Sequence, residues 1–284
     1  MPLQGLTLIG ESINDSVPST HALFAANDLA GITALAKTQA DLGAAYIDVN
    51  VGPRAPAFMA EMVRAVQAVT DKPLSIDSPD FATAKAGLEA CDPARGTSIL
   101  NSISPLRLAM FDLLSIRPFR PVLLASENLK DGAELPCLTA EETCAAARLL
   151  LEHARSRGIK NEDCIIDPGI APIATDTENN IHRLMGALRL IRADAAFRGV
   201  HLSVGLSNFT VMLPPKRPDG SPVKAPLASA FLTRAMPLGL DTVIGSVKTP
   251  YALLPEGHPA LQCFDACLAA TGFDVLERVQ DFYA

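Results

Sequence analysis

Short apolar runs alternate with longer amphipathic stretches along almost the whole chain. Residues 6–9, 45–49, 73–76, 97–100, 121–125, 164–166, 201–205 and 242–244 are too short for helices and read as eight strands. Several are apolar at successive rather than alternate positions, as expected of strands covered on both faces. Helical periodicity fills the intervals. Leu29, Ile32, Leu35, Ala36 and Leu42 mark a helix from about Asp28 to Gly43, and Phe58, Met62, Val66 and Val69 mark a second. Residues 81–88, 106–114 and 178–193 carry further helices. Thr139 with Glu142 three residues on is a capping-box signature, and it precedes a helix whose apolar face includes Leu149, Leu150 and Leu151. A longer loop separates that helix from the fifth strand, and helical turns finish the chain.

A helix after each strand, with short connections, means parallel strands. Eight such units use most of the 284 residues, which predicts one (β/α)8 TIM barrel spanning 1–284; a doubly wound open sheet is the structural competitor. The segment 214–226, PPKRPDGSPVKAP, is too rich in proline for a helix or a central strand. It reads as an exposed loop that could serve as a lid or docking surface, because it follows the seventh strand on the face where such barrels place their sites.

Composition narrows the function. At 49% hydrophobic and 19% charged, the chain can build a large core and is not disordered. A net charge of -7 argues against a nucleic-acid partner. No uninterrupted apolar run reaches the ~18 residues of a membrane span, and the N-terminus lacks the order of a signal peptide. The six cysteines form no CxxC and no nearby His completes a zinc set, so they read as thiols of a reducing cytoplasm, with no protein-bound metal expected.

In a barrel the residues just past each apolar run converge on one mouth. Here they are Glu11 after strand one, Asp48 and Asn50 after strand two, Asp77 after three, and Asn101 with Ser102 after four. Glu127 and Asn128 follow strand five, Asp167 follows six, and Ser207 with Asn208 follows seven. Any one of them could be a helix cap, and Asp77 and Asn101 are placed for that role. Seven consecutive strand ends bearing Asp, Asn or Glu instead suggest a pocket for a hydrogen-bond-rich ligand. No histidine stands at a strand end, and there is no HExxH, phosphate-binding glycine loop or GxGxxG. Lys and Arg are missing from the ring, which argues against a phosphate-bearing substrate or a Schiff-base lysine. A neutral, flat ligand with an aminopyrimidinone edge fits, since carboxylates accept its N–H groups and an amide both donates and accepts.

The blocks IGESIN at 9–14, GAAYIDVNVG at 43–52, SIDS at 75–78, LNSIS at 100–104, IIDPGI at 165–170, GLSNFT at 205–210 and GLDTVIG at 239–245 resemble the pterin-binding methyltransferases. More narrowly, they resemble methyltetrahydrofolate:corrinoid-protein methyltransferases. The resemblance implies that Asp77, Asn101 and Asp167 bind the pterin and that Asn208 lies near N5, in the network assisting its protonation. Glu11, Asp48, Asn50, Ser102, Glu127, Asn128 and Ser207 are possible supporting groups. It implies tetrahydrofolate or 5-methyltetrahydrofolate as substrate, a corrinoid (cobalamin) carried by a partner protein, and a homodimer. The chain departs from the family pattern at Ser12, where Arg is usual, and at the proline-rich segment, where Arg217 is the candidate substitute for a loop arginine. Two alternatives are a condensation like that of dihydropteroate synthase, which expects a Ser-Arg-Lys segment after the seventh strand, and a non-catalytic pterin-binding subunit.

Overall fold

The computed structural model describes residues 3–130 and 132–284. Eight parallel strands close into a barrel: β1 (Thr7–Asn14), β2 (Tyr46–Asn50), β3 (Leu74–Asp77), β4 (Ile99–Ile103), β5 (Arg120–Leu124), β8 (Ile165–Asp167), β9 (His201–Gly205) and β10 (Leu240–Gly245). The order round the barrel is β1-β10-β9-β8-β5-β4-β3-β2, so the chain is a (β/α)8 barrel and the open-sheet competitor is excluded. The long loop expected after the fifth strand is instead an antiparallel hairpin, β6 (Glu127–Lys130) with β7 (Ala133–Pro136), standing outside the barrel. Its residues are too exposed to have left an apolar run.

Among the described residues, ten helices surround the strands: α1 (Pro18–Ala25), α2 (Leu29–Asp41), α3 (Pro56–Gln67), α4 (Phe81–Ala90), α5 (Ala140–Ser156), α6 (Asn180–Ala193), α7 (Leu206–Thr210), α8 (Lys224–Ala235), α9 (Pro259–Ala269) and α10 (Phe273–Tyr283). The cap chemistry is local. Asp28 and Asp80 accept the Gly31 and Thr83 amides at 2.9 Å and 2.8 Å, and Thr139 accepts the Glu142 amide at 3.1 Å. Asp80, not Asp77, therefore caps α4, which releases Asp77 for the barrel interior. In α5 the buried face is Ala146, Ala147, Leu150, Leu151 and Ala154, while Leu149 turns outward. The helix expected over 106–114 is a 3-10 helix at Leu108–Ser115. The segment 214–226 is a loop only as far as Val223, since Pro226 falls in the first turn of α8, where its missing N–H costs nothing.

Two apolar regions result. The larger lies between helices and barrel. The smaller fills the barrel itself, where Ile9, Ile99, Val122, Ile165 and Ile244 pack with Tyr46. Packing between the layers is close at Gly87 of α4, where a Cβ would stand 2.7 Å from Ile76 and 3.0 Å from Met59. Gly87→Ala should therefore lower stability by about 1–3 kcal/mol despite the better helix propensity of alanine. Thermal unfolding should register this as a loss of a few degrees.

Candidate active site

Side chains of a strand alternate between the two faces, so the barrel interior is lined by every second residue. One step above the apolar floor, the same strands turn polar. Ile9 is followed inward by Glu11, Tyr46 by Asp48 and then Asn50, Ser75 by Asp77, Ile99 by Asn101, and Ile165 by Asp167. The parallel register sets Asp77 beside Asn101 and Asp48 beside Ser75. At β1 the pairing with β2 slips between Gly10 and Ile13. The Gln39 side chain fills that irregularity by accepting the Ser12 amide at 2.9 Å, and Glu11 stands within it.

These residues are wired to one another. Asp48 is fully buried and accepts from the Ser75 hydroxyl at 2.6 Å and the Asn101 amide at 3.3 Å. Asn50 donates to Asp77 at 2.9 Å, while the second Asp48 oxygen has no hydrogen-bond partner among the described residues. Asp167 accepts the Gly169 amide at 2.7 Å and the Ser203 hydroxyl at 3.5 Å. Ser207 donates to Glu11, joining β1 to α7 across the mouth.

Burial raises the proton affinity of every carboxyl in this layer. Asp77 is pushed up to about 6 by desolvation, against the hydrogen bond from Asn50 and the nearby Arg107 charge. Asp167 is likewise pushed up to about 6, against the Gly169 and Ser203 hydrogen bonds and the nearby Arg183 charge. Asp48 lies well above the ordinary carboxylate range through burial and the neighbouring Asp77. Glu11 is raised by burial. The layer holds carboxyl groups under a desolvation cost that a ligand offering N–H groups would offset.

Asn208 sits on α7, exposed toward the mouth, and its side chain makes no hydrogen bond to the protein among the described residues. A Cβ on Gly205 would stand 2.9 Å from the Asn208 amide nitrogen, so the glycine leaves room for the amide to lie back over the strand end. The helix is anchored next door. Phe209 is buried, 5.3 Å from the Phe231 ring on α8 and 5.9 Å edge-on from Phe264 on α9.

Other residues of the predicted ring fall outside this cluster. Glu127 lies on the hairpin and pairs with Arg107 at 3.3 Å. Asn128 is further along β6, lining the outer side of the hairpin with Leu138 and Glu142. Ser102 is half-buried where the β4 register slips, with no side-chain partner among the described residues. Arg217 does not join the ring, because its guanidinium lies over the Phe282 ring of α10, 3.8 Å from the centroid.

Three residues escaped the reading of strand ends. Arg107 places a cation near Asp77, so the ring is not free of arginine. It reaches in from the loop six positions past Asn101, where strand periodicity carries no signal. Arg183 of α6 is buried and donates to the Pro168 carbonyl at 2.6 Å, the Gly169 carbonyl at 2.9 Å and the Thr143 hydroxyl at 3.0 Å. It thereby fixes the turn that supplies the Gly169 amide to Asp167. Its one sequence signal was its place on the stripe of Ala187 and Ile191, an arginine where the helix is otherwise apolar. Tyr251, from the loop after β10, brings its hydroxyl close to Gly245, and burial pushes that phenol up to about 12. Among the described residues, no group of three or more His, Cys, Asp or Glu is arranged for a metal ion, and no helix is long and apolar enough to cross a membrane.

This floor, polar layer and nearby amide form a pocket of hydrogen-bonding groups at the C-terminal face of a (β/α)8 barrel. The chain matches the pterin binding enzyme family over residues 13–245 and belongs to that family. It is similar to the methylcorrinoid:tetrahydrofolate methyltransferase of Eubacterium limosum, 28% identical over 246 residues that cover 84% of each protein. In three dimensions it resembles the dihydropteroate synthase of Xanthomonas albilineans in complex with 7,8-dihydropteroate, at 17% identity and TM-score 0.59, over 95% of this chain and 96% of that one. It also resembles the 7,8-dihydropteroate synthase of Vibrio fischeri ES114, at 15% identity and TM-score 0.57, over 99% and 94%. At those identities the structural likeness is one of fold.

The raised carboxyls make a stability prediction. Below its ordinary value of 3.8 Asp167 is neutral folded or unfolded; above about 6 the folded protein bears the full cost of the buried charge. Asp167→Asn should therefore stabilise the ligand-free protein by about 1–3 kcal/mol at pH 7.5, a gain that disappears by about pH 4. Thermal melts of both proteins across that range measure it, and a variant less stable than the parent at pH 7.5 would contradict the assignment.

Proposed function

We propose that the protein transfers a methyl group between N5 of tetrahydrofolate and the cobalt of a corrinoid carried by a partner protein. The observation that carries this reading is the Asn208 amide, without a protein partner among the described residues, beside a strand-end layer of Asp77, Asn101 and Asp167. The similarity to the Eubacterium limosum methyltransferase supports it. In this reading Asp77 and Asp167 accept the N–H groups of the aminopyrimidinone edge, and Asn101 donates and accepts beside them. Arg183 and Ser203 hold Asp167 in place, and Asn50 does the same for Asp77. The apolar floor stops the ring from sinking and excludes water beneath it. That leaves the pyrazine edge, with N5, under α7.

The corrinoid supplies the cobalt that takes or gives the methyl. The chain's own task is at N5. A tertiary amine is a poor leaving group until it is protonated, and a hydrogen bond accepted by Asn208 Oδ1 from N5–H, which strengthens as N5 gains its proton, favours the transition state over bound substrate. Residues 206–210 carry no Lys or Arg, so α7 lacks the cations that a diphosphate-leaving condensation expects at this position.

Mixing the protein with 5-methyltetrahydrofolate and cob(I)alamin should yield methylcobalamin, followed by its visible spectrum. Tight folate binding with no transfer in either direction would refute the enzymatic reading. Asn208→Ala should slow transfer roughly 100-fold or more while weakening folate binding far less. Because Asp77 and Asp167 must be ionised to accept N–H groups, pterin affinity should fall on acidification. The loss should be about tenfold per carboxyl between pH 7 and pH 5, and calorimetric titration at several pH values tests it.

A further inference from the structure

Arg107 brings a positive charge to a mouth otherwise lined by carboxyls and amides. It lies in the loop that follows β4, and the register that sets Asp77 beside Asn101 leaves its guanidinium near Asp77. Yet it forms no hydrogen bond to that carboxylate, which accepts from Asn50 alone among the described residues. The partner of Arg107 is Glu127 at the start of β6, 3.3 Å away, and each of the two side chains is 27% exposed. The pair is incomplete. Arg107 Nε and Glu127 Oε1 are both buried, and neither has a hydrogen-bond partner among the described residues. An arginine with an unspent buried donor would ordinarily fork onto the nearer free carboxylate oxygens, so something holds it back.

Glu127 can do so because its own backbone is fixed. The Cys137 amide donates to the Ser126 carbonyl at 2.9 Å and closes the base of the hairpin. Ser126 occupies the space that a Cβ on Gly169 would need, and Gly169 is the residue whose amide serves Asp167. The hairpin base therefore reaches both aspartates at one remove, through Gly169 to Asp167 and through Arg107 to Asp77.

Among the described residues, the charged groups facing Asp77 are Glu11 from β1, Asp48 from β2 and Arg107, while β4 offers the neutral Asn101. Two of the three are carboxyls, so Arg107 is the group that favours the Asp77 carboxylate. A direct ion pair would favour it too, but would use the acceptor oxygens that a ligand's N–H groups require. Held a step away, the guanidinium contributes its field and leaves those oxygens open.

We propose that Glu127 is a positioning residue of the pterin site, holding Arg107 close enough to act on Asp77 by its charge and too far away to occupy the carboxylate oxygens. This rests on the pterin reading of the barrel mouth.

Two measurements on the whole protein test it. The first needs no ligand: carbon-13 titration of the Asp77 carboxyl, assigned by its loss in Asp77→Asn. Arg107→Met should move the Asp77 midpoint to higher pH. Glu127→Gln should move it to lower pH, because the released guanidinium then pairs with Asp77 directly. Arg107→Lys should stay near wild type. The second is calorimetric titration with 5-methyltetrahydrofolate. Arg107→Met should weaken binding about threefold at about pH 6 and leave it unchanged at about pH 8.5, where Asp77 is ionised with or without the arginine. Glu127→Gln should weaken binding about tenfold at about pH 8.5, since the arginine then competes for the oxygens. An upward or absent shift of the Asp77 midpoint in Glu127→Gln overturns the inference by itself, even if Arg107→Met folds poorly. So does an affinity loss in Arg107→Met that is the same at every pH. A wild-type protein that binds no folate at any pH would instead refute the pterin reading, and the carboxyl titration would still decide whether Glu127 restrains Arg107.

Discussion

Carboxyl groups buried in a protein are costly unless something shares their charge, and the upper layer of this barrel buries Asp48 and Asp167 and half-buries Asp77 beside them. Much of the surrounding architecture serves to make that tolerable. Ser75, Asn50, Asn101 and Ser203 donate hydrogen bonds from neighbouring strands, and Gly169 donates from a turn that Arg183 holds in shape. Asp48 is the deepest of these carboxyls, and the hydrogen bonds from Ser75 and Asn101 offset part of the repulsion it meets from Asp77. The layer is thus partly compensated from within and leaves acceptor capacity facing the mouth. A binding site for N–H groups is the direct consequence of that incomplete compensation.

Much of this was legible in the sequence because strand geometry is simple. The alternation of inward and outward residues lets Ile99 predict the floor and Asn101 the layer above it from spacing alone. Capping chemistry was equally local. Asp80 and Thr139 take their helices, and Asp77, one turn earlier, is left to point inward. What was not legible came from outside the strands. Arg107 and Tyr251 arrive from loops, whose paths no periodicity describes. The hairpin hid because its strands are short and exposed, and α8 hid because proline in a first helical turn looks like proline in a loop. Arg217 carried the right chemistry at a plausible position, yet an aromatic face on α10 holds it away from the ring.

The fold and the site carry separate information. Likeness to dihydropteroate synthases extends over nearly the whole chain, yet it reports the barrel and not the reaction. Within a common barrel, what differs most readily is the set of groups hung over the mouth by the βα loops. In this chain that set is α7 with its amide, the Ser207–Glu11 link and the loop returning through Tyr251.

The aromatic cluster of Phe209, Phe231 and Phe264 has a consequence for how the chain can change over time. It ties the residue after Asn208 to two long helices, so the amide's position is inherited from the core and not from the segment that follows. Residues 211–223 are then released from any duty to hold it. They can lengthen, shorten or exchange charge, and so retune what approaches the mouth, while the geometry beneath stays fixed. The proline-rich composition of that segment, unlike anything else in the chain, is what such freedom permits.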